Sequence, residues 1–226
     1  MRKLYIPLLI TALSLLPFFK KGVEPKPSPR QPPPQPDEDV EVYKRRAALY
    51  RRMLERYREV IEASEDKSVA ELRSLINPEN SAVQLLKGRL TEDFRPYIYE
   101  RDFMQAAERA YAFVKDEIKN EPLPLDFWLT PEDMLELKVA DEIDKAMLLC
   151  SLLIAFENHS AKVVVETGGR LRHAFVLFEF GGKTYKMDPA HGVFMSGTRE
   201  EVLAEQLSGA EKKLVYEFNN SEYNEW

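Results

Sequence analysis

His173 and Asp188 stand on either side of the pair Gly181-Gly182, and each can move or hold a proton. The runs His173–Phe180 and Lys183–Asp188 are rich in aromatic and β-branched residues, and two glycines between such runs signal a two-residue hairpin. With that turn, facing residue numbers sum to 363, so His173 faces Ala190 and Phe175 faces Asp188. His173 and Asp188 are then diagonal neighbours on one face, about 7–8 Å apart at their side-chain bases. A carboxylate reaches an imidazole across that gap, fixing its tautomer and favouring its charged form. A base oriented by a third group is half of a nucleophilic triad. Taken alone the pair is equally compatible with a structural role, so the question becomes which nucleophile would complete it.

Cys150 is the only cysteine. It falls in Asp141–Glu157, where Ala146–Cys150 and Leu152–Phe156 are apolar on all sides, the pattern of a central buried helix. A thiol there has a raised pKa and behaves as a small hydrophobe. Glu142, eight residues earlier, lies about 12 Å away along the helix. In the first turn its carboxylate gains roughly 0.3–1 kcal/mol from the helix dipole. The alternatives for Glu142 are an ion pair with charged His173 and a solvent-facing first-turn residue.

Other elements must position these groups. Val40–Ala63 reads as a charged helix with Tyr43, Ala47, Tyr50, Leu54, Tyr57 and Ile61 on one stripe, expected to pack on the domain. Shorter helices are expected at Ser68–Ile76 and Ser81–Leu86, and a stronger one at Asp102–Lys119. Thr130-Pro131-Glu132-Asp133 is an N-cap followed by proline and acidic first-turn residues. Further strands are expected at Ala161–Glu166 and Leu214–Phe218, with a helix at Thr198–Leu207. Helices first and antiparallel strands afterwards make an α+β domain. His191, in Asp188-Pro-Ala-His-Gly, reads as a turn residue, His159 as a loop residue, and Gly168-Gly169 as a hairpin or loop.

Three segments carry a family resemblance. These are Trp128-x-x-Pro131-Glu132-x-x-Leu135, the run ADEIDKAMLLCSLLIAFENHSAKVVVE from Ala140, and RHAFVLFEFGGKTYKMDP from Arg172. Together they resemble the transglutaminase-like superfamily, whose members place a cysteine at the start of a buried helix in a G-D-C-x-D-x-A-x-L-L-x-S-L-L pattern. Asp144, Ala146, Leu148, Leu149, Ser151, Leu152 and Leu153 match that pattern. His173 matches the catalytic histidine and Asp188 the aspartate of the strand ending in Asp-Pro. The resemblance covers about sixty residues closely. It implies a papain-like fold and, in active members, peptide hydrolysis or glutamine acyl transfer through a thioester. The departure is at the nucleophile, where Glu142 occupies the cysteine position and Ala140 replaces a glycine. A carboxylate is a far weaker nucleophile towards amides. Trp128, within the family pattern, is expected beside the cleft, either in the core or in contact with a ligand.

The whole chain of 226 residues accommodates one domain with length to spare. Residues 1–36 hold six Lys/Arg and one acidic residue, Glu24, leaving 26 basic against 37 acidic in the remainder. Such an acidic domain lacks the footprint of a nucleic-acid binder or of a surface for anionic lipid. One cysteine and three histidines (His159, His173, His191) argue against a cysteine- or histidine-rich metal centre, and no cofactor is expected. High Lys and Glu with few Gln and Asn is a thermophile-like composition.

Leu4–Phe19 is an uncharged apolar run between Arg2-Lys3 and Lys20-Lys21. As a helix of about 1.5 Å per residue it reaches less than the roughly 30 Å hydrocarbon core. Pro17-Phe18-Phe19-Lys20 offers no small-residue cleavage site, so residues 1–21 are expected to be an uncleaved membrane anchor, with a cleaved signal peptide and a secreted product as the alternative. Residues 22–36, with seven prolines, form a semi-rigid linker. Residues 37–226 are the transglutaminase-like domain, expected outside the cytoplasm and touching the membrane through residues 4–19 only. The expected function is a tethered, catalytically inactive module that binds a peptide or protein or acts structurally. The alternative is an active cysteine-type hydrolase of the same fold.

Overall fold

A computed structural model describes residues 36–65, 67–123, 125, 127–168, 171–207 and 214–225. The expected anchor, nearly all of the proline-rich linker and Gly169 lie outside the described residues. No helix among the described residues is long and apolar enough to cross a membrane. The chain divides into two compact units, Met1–Arg51 and Arg52–Trp226.

The described part of the first unit belongs to α1 (Pro36–Ser64), which continues into the second. Along its expected apolar stripe only Ile61 is half-buried among the described residues. Tyr43 is 64% exposed and Tyr57 53%, while Tyr50 and Leu54 are also exposed. Charged residues occupy most of the remaining positions, and i,i+3 and i,i+4 pairs such as Lys44–Glu41 and Arg58–Glu62 support the helix locally.

In the second unit, five helices lead to the sheet. Ser68 caps α2 (Val69–Leu75) through a reciprocal capping box with Glu71, and Asn80 caps α3 (Ser81–Leu90). The helix α4 (Tyr99–Asp116) buries the stripe Phe103, Ala106, Ala107, Ala110, Tyr111 and Val114. A short strand β1 (Lys119–Asn120) follows, then α5 (Pro131–Leu137), capped by the Thr130–Asp133 box that the sequence announces. The strand β2 (Val139–Ala140) pairs in parallel with β1. Buried α6 (Glu142–Ala155) comes next.

The sheet then forms from β3 (Lys162–Gly168), β4 (Leu171–Phe180), β5 (Lys183–Asp188) and β6 (Val193–Gly197). After α7 (Arg199–Leu207) it is completed by β7 (Leu214–Phe218) and β8 (Tyr223–Glu225). The order is β6-β5-β4-β3-β7-β8, antiparallel throughout. The result is an α+β fold.

Both faces of this sheet are covered, which explains why β3 and β4 read as continuous apolar runs rather than alternating ones. Val163, Val165, Ala174, Val176, Phe178, Met187 and Phe218 join the core of α4 and α6. Val164, Phe175, Leu177 and Val215 pack on Val202 and Leu203 of α7. Phe103 meets Phe178 edge-on at 5.5 Å within the first core. Beyond the second face, Glu217 is buried yet held by Lys162 at 3.2 Å and by Arg199.

Candidate functional site

The hairpin has the register read from the sequence: Val176 faces Met187 and Phe180 faces Lys183, both summing to 363. Positive φ at Gly181 (56°) and Gly182 (76°) makes this two-residue turn, a conformation that β-carbon-bearing residues resist. The consequence is contact between His173 and Asp188, whose Nε2 and Oδ2 lie 2.7 Å apart. Directly across β3–β4, Glu166 faces His173, and its Oε2 lies 3.8 Å from Nδ1.

Asp188 is the centre of the cluster. It is 1% exposed, and each oxygen has two partners. Oδ1 accepts from the amides of Ala190 and His191, both at 3.0 Å. Oδ2 meets His173 Nε2 and also His191 Nδ1 at 3.0 Å. Burial alone would raise this carboxyl, but the bonds from His173 and the His191 amide, with the two imidazoles beside it, hold it below the usual carboxylate range. His173 is pushed up to about 9, chiefly by its bond to Asp188 and then by Glu166, against a smaller effect of burial.

Glu142 is the first residue of α6. Asp141 caps that helix, accepting from the Asp144 amide at 2.8 Å, so Glu142 sits at the positive end of the helix dipole. Its Oε1 lies 3.7 Å from His191 Nε2, while its Oε2 is buried with no hydrogen-bond partner among the described residues. One carboxylate oxygen of Glu142 and one ring nitrogen each of His173 and His191 lie within 4.8 Å of one another. The imidazole nearest Glu142 in ion-pair range is therefore that of His191, a residue read from the sequence as belonging only to a turn. The available signal was Asp188-Pro-Ala-His: an Asp that accepts amide bonds two and three residues on folds the chain back and returns the histidine to its own carboxylate.

Cys150 lies in the core, fully buried, its thiol pushed up by burial. No imidazole or carboxylate of the cluster contacts it among the described hydrogen bonds and ion pairs. Asp144, matched to the family pattern, is 1% exposed and is pushed up to about 8 by burial and then by the Asp141 charge. Lys145 is equally buried, which lowers its pKa, while Asp188 and Asp116 oppose that shift.

Trp128 is half-buried and donates its indole N–H to the Glu65 carbonyl at 3.0 Å. It lines an apolar pocket of about 250 Å³ with Leu72, Ile143, Val165, Tyr216 and Phe218. Ile143 and Val165 are the chain neighbours of Glu142 and Glu166, although neither Glu142 nor His173 lines the pocket. The site thus combines an oriented imidazole pair, a helix-terminal carboxylate and a nearby apolar pocket. It can hold charge and move protons, and it presents no thiol for acyl transfer.

No family model matches the chain, and no curated protein matches it. Among solved structures it is similar to Legionella pneumophila LapG in its calcium-bound form, at 14% identity and a TM-score of 0.43, over 70% of this chain and 87% of that one. The EGTA-treated form of LapG gives the same identity and TM-score, over 70% and 84%.

Proposed function

We propose that this chain is a membrane-tethered transglutaminase-like module that does no thioester chemistry and instead binds a peptide segment of a partner beside the α6 N-terminus. The observation that carries this reading is the placement of Glu142 at the first position of α6, beside His191, while Cys150 is sealed in the core. An imidazole–aspartate pair without a reachable thiol lacks the nucleophile that a thioester intermediate needs. The apolar pocket at Trp128 supplies the binding element, because a volume of about 250 Å³ accommodates one large side chain of an extended peptide. Residues 4–19 supply the tether, holding the domain on the extracytoplasmic side through the proline-rich segment.

The test uses tryptophan emission from the full chain. Trp128 and Trp226 are the only tryptophans, so Trp226→Phe isolates Trp128. Short peptides with a single Leu or Phe anchor are expected to shift Trp128 emission saturably, and peptides with Ser at that position are not. Binding that survives Leu72→Asp, or no shift across anchored peptides, would remove the reading. Release of an acyl product from peptide esters by the unmodified chain would replace it with the cysteine-hydrolase alternative.

A further inference from the structure

Glu142, His173 and His191 form the chain's densest convergence of metal-ligating atoms among the described residues. We infer that these three side chains bind a divalent transition ion, with zinc the best-suited member. The inference goes beyond peptide binding and does not depend on it.

Three features support it. The first is the donor set: two imidazoles and one carboxylate, with one ligand atom from each already within 4.8 Å of the others. Ligands about 2.0–2.1 Å from a tetrahedral centre sit roughly 3.3 Å apart, so each pair must close by up to about 1.5 Å. His191 and Glu142 are the side chains able to do this, with His191 51% and Glu142 28% exposed in their side chains. The second is a buried and unpartnered oxygen, Glu142 Oε2, which a cation would satisfy. The third is the orientation of the rings. Asp188 engages His191 through Nδ1, leaving Nε2 directed towards Glu142, the arrangement by which a carboxylate behind a histidine orients it on a metal. The same carboxylate holds His173 by Nε2, so one rigid, buried group aligns both rings, and a metal would take His173 through Nδ1 in place of the Glu166 carboxylate 3.8 Å away.

The electrostatics favour a cation. Glu142, Glu166 and Asp188 place three carboxylates around two imidazoles. Two cations offset these carboxylates only in part: buried Lys145 interacts with Asp188, and Lys186, which lies over Phe175 at 4.2 Å, acts on His173. Two imidazole ligands select against calcium and magnesium, which take oxygen ligands, and favour zinc and its first-row neighbours. With three protein ligands, the remaining position is open to solvent beside exposed His191, available to a carboxylate or carbonyl of a bound partner.

The experiment is equilibrium dialysis of the full chain against Zn²⁺, with bound metal measured by elemental analysis and affinity by calorimetry. One zinc per chain is expected, with proton release on binding. His191→Ala and Glu142→Gln should each weaken binding at least about tenfold, and Asp188→Asn about 10–100-fold through loss of ring orientation. His159→Ala, outside the cluster, should change nothing. Far-UV circular dichroism checks that each variant folds, and exposed His191 keeps the test informative if a buried change does not. Zinc uptake that is absent, or that persists unchanged in both His191→Ala and Glu142→Gln, overturns the inference. A chain that binds zinc but no peptide would sink the peptide reading alone.

Discussion

Asp188 Oδ2 lies 2.7 Å from His173 Nε2 and 3.0 Å from His191 Nδ1, so one buried oxygen holds two imidazoles. The first ring comes from the neighbouring strand, the second from the turn that follows Asp188 itself. Removing the charge at this point is therefore expected to release both. In metal-free protein, Asp188→Asn should drop the His173 titration from about 9 towards the ordinary histidine range, read by NMR of the ring protons. Asp188→Ala should cost roughly 3 kcal/mol in chemical denaturation, because it strands two ring nitrogens and two backbone amides. An unchanged His173 titration in Asp188→Asn would show that Glu166 alone sets it.

The stability of the metal-free chain should fall as pH rises from about 5 to 9. His173 and Asp144 both have folded pKa values above their unfolded ones, about 9 against 6.5 and about 8 against 3.8. Each therefore binds more protons in the folded state, and its stabilisation is lost as pH rises through its folded value. Asp188 and Asp102 have the opposite sign, their folded values being depressed, so they withdraw stability as pH falls through the acid range. The maximum is expected on the acid side of neutrality. Thermal melts across pH should show His173→Gln flattening the upper part of the slope and Asp144→Asn the lower. A maximum above pH 8 would contradict this.

Glu142→Cys should create a reactive thiol where the unmodified chain has none. The first turn of α6 and the imidazoles beside it would depress the new thiol's pKa, as they favour any anion there. Iodoacetamide should modify the folded variant near neutral pH, and Asp188→Asn in the same chain should slow that reaction. Labelling no faster than for an ordinary exposed thiol would mean that the site does not activate a nucleophile.

Phe103→Ala should destabilise the second unit by roughly 3–5 kcal/mol, since a fully buried ring at the junction of α4 and the sheet leaves a cavity. Tyr50→Ala, on the exposed stripe of α1, should cost well under about 1 kcal/mol. Urea denaturation of the two variants separates buried from solvated aromatics.

Local chemistry was the legible part. The Thr130 box, the Gly181-Gly182 hairpin and its register, and the all-round apolar character of α6 were each readable because short-range spacing determines them. The contact between His173 and Asp188 follows from that register. Three features depended on what lies across the fold. The tyrosine stripe of α1 has helical periodicity, but periodicity names a face without naming what covers it. The strand β6 (Val193–Gly197) alternates without a strong β-former pattern and is fixed by pairing with β5. The entry of His191 into the cluster required knowing that Asp188 accepts from two amides of its own turn while the α6 terminus sits beside it.

The most direct test of the proposal that no thiol serves this site is alkylation of Cys150 in the full chain as a function of pH, first native and then denatured. Native labelling should be negligible at any pH where the fold survives and rapid once the chain unfolds, because the thiol is fully buried. Fast native labelling with a thiolate pKa well below the ordinary ~8.5 would contradict it and return the chain to the cysteine enzymes.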